Sequence, residues 1–247
     1  DNSSTRVRFK GKAKLGENWT AGTTLEVQIE SNSSSSVNQF ADNGVGAGGF
    51  TERKMEVWFD GPWGKVSLGQ GDTASNGTSE SDLSGTKVVT NSDVKDLAGG
   101  LAFVNSTTGL FCTDVNGDGL CTGADALNTT VAGAFSNLDG LSRDDRIRYD
   151  TPEFGGFQLS TSAVAGGEAD IALRYSAKMG DFKLKAAAAY ADPSSTSGGT
   201  DSRVNGSISV AHKSGGSLTV AAADTEGKGA AREASYYYVK AGWTFKD

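Results

Sequence analysis

The chain has 247 residues, of which 36% are hydrophobic and 21% charged, and its formal net charge is −7. No run of residues approaches the roughly 18 consecutive apolar positions of a membrane-spanning helix, so that class of membrane protein is excluded. The negative charge argues against a nucleic-acid partner, because proteins that bind nucleic acid are usually basic. The hydrophobic share lies below the roughly 45–50% of soluble globular proteins and leaves little material for a large packed core.

The first predicted element, Thr5–Leu15, alternates without a break between two kinds of side chain. Side chains of a strand point to opposite faces in turn, so this pattern predicts a two-faced β-strand. Its length is about the 9–11 residues that a tilted strand needs to cross a bilayer. One face carries Arg6, Arg8, Lys10, Lys12 and Lys14, and the other carries Val7, Phe9, Gly11, Ala13 and Leu15.

The pattern recurs along the chain and predicts about eleven strands of an antiparallel sheet. Connections alternate between short and long, as in outer-membrane barrels with short periplasmic turns and long outer loops. Aromatic residues such as Trp19, Trp63 and Phe157 gather beside the short turns, which is typical of a membrane–water boundary. Single-chain bacterial barrels have even strand counts, so the odd count predicts further strands beyond both ends. The later strands are marked by Val27, Val57, Val66, Ile147, Leu159, Leu173, Leu184, Ile208, Val220 and Val239.

The longest connection, residues 72–143, contains both cysteines and a calcium-type sequence. A disulfide between Cys112 and Cys121 suits an oxidising compartment such as the periplasm, and two free thiols are the alternative. Residues 114–125 match the twelve-residue calcium-loop template, with Gly119 at its sharp turn. The predicted oxygen ligands of a structural Ca²⁺ are Asp114, Asn116, Asp118, the Leu120 carbonyl, Thr122 and Asp125. Chance matching in a loop rich in Asp, Asn and Gly is the alternative.

Three segments, in order, resemble the Gram-negative trimeric porin family. Thr5–Glu30 is similar to an early hairpin with the pattern RxGFKG, and Arg53–Thr73 to the next hairpin, whose turn carries G-x-[FW]-G. Arg146–Leu159, which reads RIRYDTPEFGGFQL, is similar to a strand–turn–strand with RYDSPxFxGF. Gln70 departs from the family, which often has arginine after this LG pair. The resemblance implies one porin domain over residues 1–247: a sixteen-stranded transmembrane antiparallel β-barrel, usually a homotrimer, with residues 72–143 as the third outer loop, folded into the lumen.

Together the pattern and the resemblance predict a porin of the bacterial outer membrane, surrounded by lipid and lipopolysaccharide. Its water-filled channel would pass small polar solutes and ions by passive diffusion. Cations on the wall would face acids of the inserted loop and create a transverse field, which leaves the sign of selectivity open. The predicted wall cations are Arg6, Arg8, Lys10, Lys12, Arg146 and Arg148, and the predicted loop acids are Asp72, Glu80, Asp82, Asp93 and Asp96.

Other interpretations of the same sequence stay open. One is a calcium-stabilised surface or structural barrel protein with little conductance. Another is a soluble, secreted all-β domain, because two-faced strands also occur in soluble sheets. Catalysis is not predicted: the only histidine, His212, falls by parity on the apolar face, and no Ser-His-Asp set or carboxylate pair stands out.

Overall fold

The computed structural model describes residues 4–30, 32–41, 49–123, 125–193, 199–229 and 233–245. Eleven strands within these ranges form one sheet, and residues 73–142 between β4 and β7 contain four short elements. The strands of the large sheet are β1 (Thr5–Lys14), β2 (Thr20–Ile29), β3 (Phe50–Gly61), β4 (Gly64–Asp72), β7 (Arg143–Asp150), β8 (Phe157–Val164), β9 (Ala169–Met179), β10 (Phe182–Asp192), β11 (Thr200–His212), β12 (Gly216–Gly227) and β13 (Ala234–Trp243). The short elements are α1 (Lys95–Ala98), β5 (Cys112–Thr113), β6 (Ala126–Leu127) and α2 (Val131–Ala134).

Each strand of the large sheet pairs with its neighbours in sequence, so the sheet is a meander with β1 and β13 at its two edges. The pairing is antiparallel from β3 to β4 and from β4 through β7 to β13, which confirms the predicted all-β antiparallel class and the count of eleven strands. The register is regular: Leu173 of β9 lies opposite Ala188 of β10, and Leu159 of β8 lies opposite Leu173. The barrel is not closed by these strands within the described residues.

The two faces of this sheet are reversed relative to a soluble protein. The apolar face carries large hydrophobic side chains that remain exposed, such as Ile147, Leu173 and Val239 at 58%, 45% and 69%. The opposite, polar face holds the buried side chains. A soluble sheet buries its apolar face against a core, so this arrangement contradicts the soluble interpretation and suits a sheet whose apolar face meets lipid. Buried residues of the polar face include Ser67, Arg146, Asp150, Ser160, Ser162, Asp170, Asn205, Ser207, Ser209, Thr219 and Lys240.

Aromatic rings pack against one another beside the short turns, as the sequence predicted. Trp19 and Trp63, from the turns that follow β1 and β3, make an edge-to-face contact with centroids 6.1 Å apart. Gly61 faces the Trp19 ring so closely that a β-carbon at this position would overlap it. A second contact joins Phe182 and His212 at 4.6 Å. Rings at this position have an apolar body and a polar edge that suit the membrane–water boundary.

The described residues divide into two compact units. Unit 1 comprises the described parts of Asp1–Arg6, Gln28–Thr51 and Val88–Ser136, and it contains α1, α2 and the β5–β6 pair. Unit 2 comprises the described parts of Val7–Val27, Glu52–Lys87 and Asn137–Asp247, and it contains most of the large sheet. The predicted long loop is therefore divided, because its two ends belong to unit 2 and its middle to unit 1. No helix in the described ranges is long and apolar enough to cross a membrane.

The exposed apolar face gives a direct test at Leu173, in the middle of β9. Replacing Leu173 by Arg should destabilise the protein by about 2–4 kcal/mol, because a cation at the bilayer midplane of a barrel costs that much. Leu173→Phe is the matched control at the same site and should cost less than about 1 kcal/mol, since it keeps the position apolar. Urea titration of the full-length protein refolded in lipid vesicles measures both, and a Leu173→Arg variant as stable as the control would contradict a lipid-facing β9.

Candidate functional site

The segment Thr73–Lys87, called here the crossing segment, runs over the polar face from β4 towards β13. Its backbone N–H groups donate to side chains of three strands, which replaces the ladder bonds that an irregular segment lacks. Buried hydroxyl and carboxylate acceptors therefore bind the backbone of the segment directly. The bonds run from Ala74 N to Ser162 Oγ (2.9 Å), Ser75 N to Asp170 Oδ2 (2.7 Å), Ser81 N to Ser207 Oγ (2.9 Å) and Leu83 N to Ser209 Oγ (2.9 Å).

A return limb, Asn137–Ser142, packs against the start of the crossing segment. The Asp139 carboxylate accepts hydrogen bonds from Gly77 N at 2.5 Å and Ser79 N at 2.8 Å. Thr73 Oγ1 donates to the Leu141 carbonyl at 2.7 Å. Burial raises the pKa of Asp139 against the opposing effect of these N–H donors, and the nearby Glu80 charge adds to the rise. The two limbs therefore form one hydrogen-bonded layer over the sheet.

Three arginines on alternate strands bind the backbone of this layer. Arg148 on β7, Arg174 on β9 and Arg203 on β11 each donate to main-chain carbonyl oxygens. The planar guanidinium has several donors in a fixed geometry, so one side chain can donate to two nearby carbonyls. The distances are 2.7 Å from Arg148 to Thr73 O, 2.6 and 3.0 Å from Arg174 to Ala74 O and Asn76 O, and 2.9 and 2.7 Å from Arg203 to Asp139 O and Gly140 O.

Two of the predicted loop acids, Asp72 and Asp82, form ion pairs with cations of the sheet that were not among the predicted wall cations. Asp82 pairs with Lys240 of β13 at 2.8 Å, and both side chains are almost fully buried, at 4% and 6% exposure. Asp72 pairs with Lys54 of β3 and lies 3.6 Å from Arg143. Burial alone would raise the pKa of Asp82, but the ion pair with Lys240 and the hydrogen bonds from Ser84 together outweigh it and the net shift is downward. Asp82 therefore stays ionised in this layer.

The remaining predicted acids have local partners. Glu80 pairs with Lys87 at 2.6 Å, within the crossing segment. Asp93 pairs with Lys95 at 2.9 Å, and Asp96 accepts a hydrogen bond from Asn91 at 3.2 Å; all four residues belong to unit 1. The role of these acids in the lumen stays a prediction.

The predicted wall cations fall into two groups. Arg146 and Arg148 lie on the polar face, but Arg146 is buried and donates to Glu56, to Asp72 O at 3.0 Å and to Gly69 O at 2.8 Å. Arg148 also pairs with Asp150 at 2.7 Å. Arg146 therefore binds β3 and β4, whereas Arg148 binds the layer through the Thr73 carbonyl.

On β1 the cations are exposed. Arg8 pairs with Glu26 of β2, and Arg6 donates to Ser4 at 3.0 Å. Among the described residues, no ion pair involves Lys10 or Lys12. Among the predicted wall cations, Lys10 and Lys12 can therefore offer a solute a positive charge that no ion pair offsets.

Several residues that bind the long loop were not among the site residues predicted from the sequence. Arg143, Arg174, Arg203, Lys54 and Lys240 all hold the loop or its acids. Parity gave a signal for Arg174 and Lys240, which alternate with apolar neighbours on β9 and β13. The acceptor serines of β8 and β11 had no such signal, because a serine in a strand is compatible with either face.

The middle of the long loop contains the predicted disulfide, and the structure confirms it between Cys112 and Cys121. In residues 114–125 the acidic side chains accept backbone N–H groups. Asp114 accepts from Gly117 at 2.6 Å and Gly119 at 2.8 Å, and Asp125 accepts from Val115 at 3.0 Å. The N–H donors of Val115 and Thr122 lower the pKa of Asp125. The described residues contain no group of three or more His, Cys, Asp or Glu side chains gathered closely enough to hold a metal ion.

Comparison with known proteins identifies the family. The sequence model described as Gram-negative porin matches residues 1–247. Among solved structures, in-vitro folded OmpT, an outer membrane protein of Vibrio cholerae in its trimer form, is 11% identical with a TM-score of 0.54, covering 99% of this chain and 65% of that one. A loop L8 deletion mutant of OmpT is 12% identical with a TM-score of 0.53, covering 99% and 70%. The chain thus spans about two thirds of these structures, and the likeness concerns the fold alone. No curated protein sequence matches.

The buried ion pair between Asp82 and Lys240 gives a test of the anchored layer. Asp82→Asn should destabilise the protein by about 3–5 kcal/mol, because it leaves a buried ammonium without its partner. Wild-type stability from this pair should be present above the ordinary pKa of an aspartate and be lost as the pH falls through the lowered pKa of Asp82.

The exposed pair of Lys213 and Asp181, at 2.6 Å, is the matched control. Asp181→Asn should cost at most about 1 kcal/mol, because solvent screens this pair. Urea unfolding of the full-length protein in detergent, repeated from pH 7 to pH 3, compares the two variants. Equal costs at pH 7 would show that the buried pair does not anchor the segment.

Proposed function

Since the chain belongs to the Gram-negative porin family, we propose that it forms a water-filled channel for the passive diffusion of small polar or charged solutes. The protein is a component of the bacterial outer membrane. The observation that carries the channel is the reversal of the two faces, with exposed apolar side chains on one and buried polar and charged side chains on the other. A sheet with these faces is stable when lipid covers the first and water fills the space beside the second.

In this channel the crossing segment would be the constriction. It is bound to β8, β9, β11 and β13 through serines, Asp170 and the Asp82–Lys240 pair. Displacing a segment that is bound at so many points would cost free energy, because each released N–H group would lose its hydrogen bond unless water replaced the acceptor. The narrowing would therefore have a fixed size and select solutes by their dimensions. Charge selection would come from the cations left without acidic partners, such as Lys10 and Lys12.

In the membrane the sheet would close into a barrel, because the unpaired backbone groups of its two open strand edges are costly there. The barrel would assemble as a homotrimer in contact with lipid and lipopolysaccharide. A trimeric form of OmpT, which is similar in fold, supports this assembly. We propose no catalytic role, and His212 is engaged locally, with Nδ1 2.8 Å from Ser214 Oγ.

One observation favours a second function, a surface protein with little conductance. The crossing segment and the return limb bury much of the polar face of β7 to β11. If they fill the lumen, unit 1 with its disulfide would be the functional part. The two functions differ in whether current passes and in whether residues 114–125 are needed.

We also propose that residues 114–125 bind a structural Ca²⁺. Asp114, Asn116 and Asp118 provide side-chain oxygens at alternate positions, and each carboxylate oxygen that accepts one N–H group retains a further lone pair. The three carboxylates of the loop are not gathered around one point, so binding would draw Asp125 towards Asp114. The disulfide already joins this loop to β5 and would limit the entropy lost in that movement.

Conductance tests the channel. The full-length protein, reconstituted in planar lipid bilayers in potassium chloride, should produce discrete current steps of uniform size, because each inserted homotrimer adds the same number of pores. A variant that lacks residues 114–125 should give steps of similar size, since these residues belong to unit 1 and the crossing segment to unit 2.

Insertion without stepwise current would contradict the channel and support the surface function. Heat-resistant sheet structure in detergent, measured by circular dichroism, is the control for folding in every sample. A shortened variant that folds but does not conduct would show that the pore depends on the calcium-type loop.

Calcium binding is tested by titration calorimetry on the folded full-length protein. The wild type should bind one Ca²⁺ per chain, and Asp118→Ala should weaken binding at least about tenfold, because the loop loses a charged ligand. Asp96→Ala removes an acid from the same long loop outside the motif and should leave the affinity unchanged. No heat of binding in the wild type, or equal losses in both variants, would contradict the site.

A further inference from the structure

The chain contains four Asn-Gly pairs, a sequence in which the asparagine can lose its side-chain amide without an enzyme. The backbone nitrogen of the glycine attacks the side-chain carbonyl carbon, and glycine leaves this approach open because it has no β-carbon. Three pairs begin at Asn76, Asn116 and Asn205, and the fourth, Asn43–Gly44, lies outside the described residues. Since the same residue follows each asparagine, the surrounding structure decides which of the three described pairs reacts.

The pair at Asn205 is fixed within β11. Asn205 is buried, and its Nδ2 donates to Thr78 Oγ1 at 2.7 Å. Gly206 is paired on both sides, because it lies opposite Ala188 of β10 and Ala222 of β12. The attack requires the asparagine side chain to turn back onto the next main-chain nitrogen, so this part of the sheet would have to open first.

The pair at Asn76 is fixed within the crossing segment. Asn76 Nδ2 donates to Asp72 Oδ1 at 3.0 Å, and the Asn76 carbonyl accepts a hydrogen bond from Arg174 at 3.0 Å. Gly77 N, the nitrogen that would attack, donates to the Asp139 carboxylate at 2.5 Å. The reaction at this pair therefore requires the anchored layer to release several hydrogen bonds at once, which costs free energy.

The pair at Asn116 lies in the calcium-type loop, and both of its residues are exposed. Gly117 N donates to Asp114 Oδ1 at 2.6 Å, but water can replace this acceptor at little cost because the loop is exposed. Asp118 N donates at 3.2 Å to Asn116 Oδ1, the oxygen on which negative charge develops during the attack. Among the described residues, none comes within 4 Å of the position that a β-carbon of Gly117 would take.

We propose that Asn116 is a site of spontaneous modification, at which Gly117 N closes a succinimide ring on the Asn116 side chain. The bond from Gly117 N to Asn116 Cγ forms, the bond from Cγ to Nδ2 breaks, and the amide leaves as ammonia with the proton of Gly117 N. Water then opens the ring at either carbonyl and yields aspartate or isoaspartate, in which the main chain runs through the side-chain carbon. The reaction consumes water, releases ammonia and needs no oxidant or reductant.

Either product changes the calcium-type loop. An aspartate in place of Asn116 adds a fourth carboxylate to those of Asp114, Asp118 and Asp125, at a position where the sequence predicts a ligand. Isoaspartate lengthens the main chain by one carbon and displaces the predicted ligands that follow. The ring closure itself needs no metal ion, so this inference goes beyond the proposed calcium binding and does not rest on it.

Incubation of the folded full-length protein in detergent, in mildly alkaline buffer with EDTA, tests the site while the loop is free of metal. Peptide mass spectrometry follows the loss of each amide, and an isoaspartate methyltransferase assay detects the rearranged product. Asn116 should react at least about tenfold faster than Asn76 and Asn205, because those two sites must open before they react. In urea the three rates should agree within about threefold, since the fold no longer distinguishes the pairs.

Gly117→Ala should slow the reaction of Asn116 at least about tenfold, because the added β-carbon crowds the attacking nitrogen. Gly119→Ala is the matched control: both glycines are exposed, with φ of +76° and +77° and open space at the α-carbon, but Gly119 does not follow an asparagine. It should change the rate by less than about twofold.

Circular dichroism of each sample verifies that the sheet stays folded during the incubation. An Asn116 that keeps its amide in the folded protein would overturn the proposal. So would reaction of Asn76 or Asn205 as fast as that of Asn116, or equal slowing by Gly117→Ala and Gly119→Ala.

Discussion

The alternation of side chains along each strand is the constraint on which the rest of this structure depends. It gives the sheet two faces, and here the apolar one is exposed while the polar one is buried. The few buried hydrophobic residues form small groups such as Ala74 with Ala172 and Ala189, and Leu141 with Val164. Such groups cannot stabilise a chain of this length alone, so cohesion within the chain comes from the strand ladder and from the crossing segment with its return limb.

The crossing segment and the return limb find most of their hydrogen-bond partners on the polar face of the sheet. An irregular segment over a sheet has N–H and C=O groups without regular partners, and each one left buried and unpaired costs about 1–3 kcal/mol. Serines 162, 207 and 209 accept its N–H groups, and three arginines donate to its carbonyls. Short hydroxyl side chains on the strands let the segment lie close to them, and the longer arginines donate to its backbone and to that of the return limb from alternate strands.

The alternation of polar and apolar residues was enough to predict the eleven strands and the faces of residues such as Ile147 and Arg174. The direction of a side chain in a strand depends only on its position along that strand. The alternation could not predict the path of residues 73–142, where α1, α2 and the β5–β6 pair had no periodic signal. Nor could it pair Asp82 with Lys240, which are 158 residues apart in sequence. Arg146 shows the same limit: its face was predicted, but its burial depends on Glu56 and on carbonyls that only the tertiary structure brings near.

The pairing of charges in the anchored layer also determines which charges a solute would meet. Asp72 and Asp82 are neutralised by Lys54 and Lys240, and Arg146 is neutralised by Glu56. Opposed rows of charge close to each other therefore cancel locally and contribute little field at the distance of a solute. Lysines 10, 12, 183 and 185 have no ion-pair partner in the described part of the chain. In a pore built from this sheet, those lysines would be positive charges available to a solute even though the whole chain carries a net charge of −7.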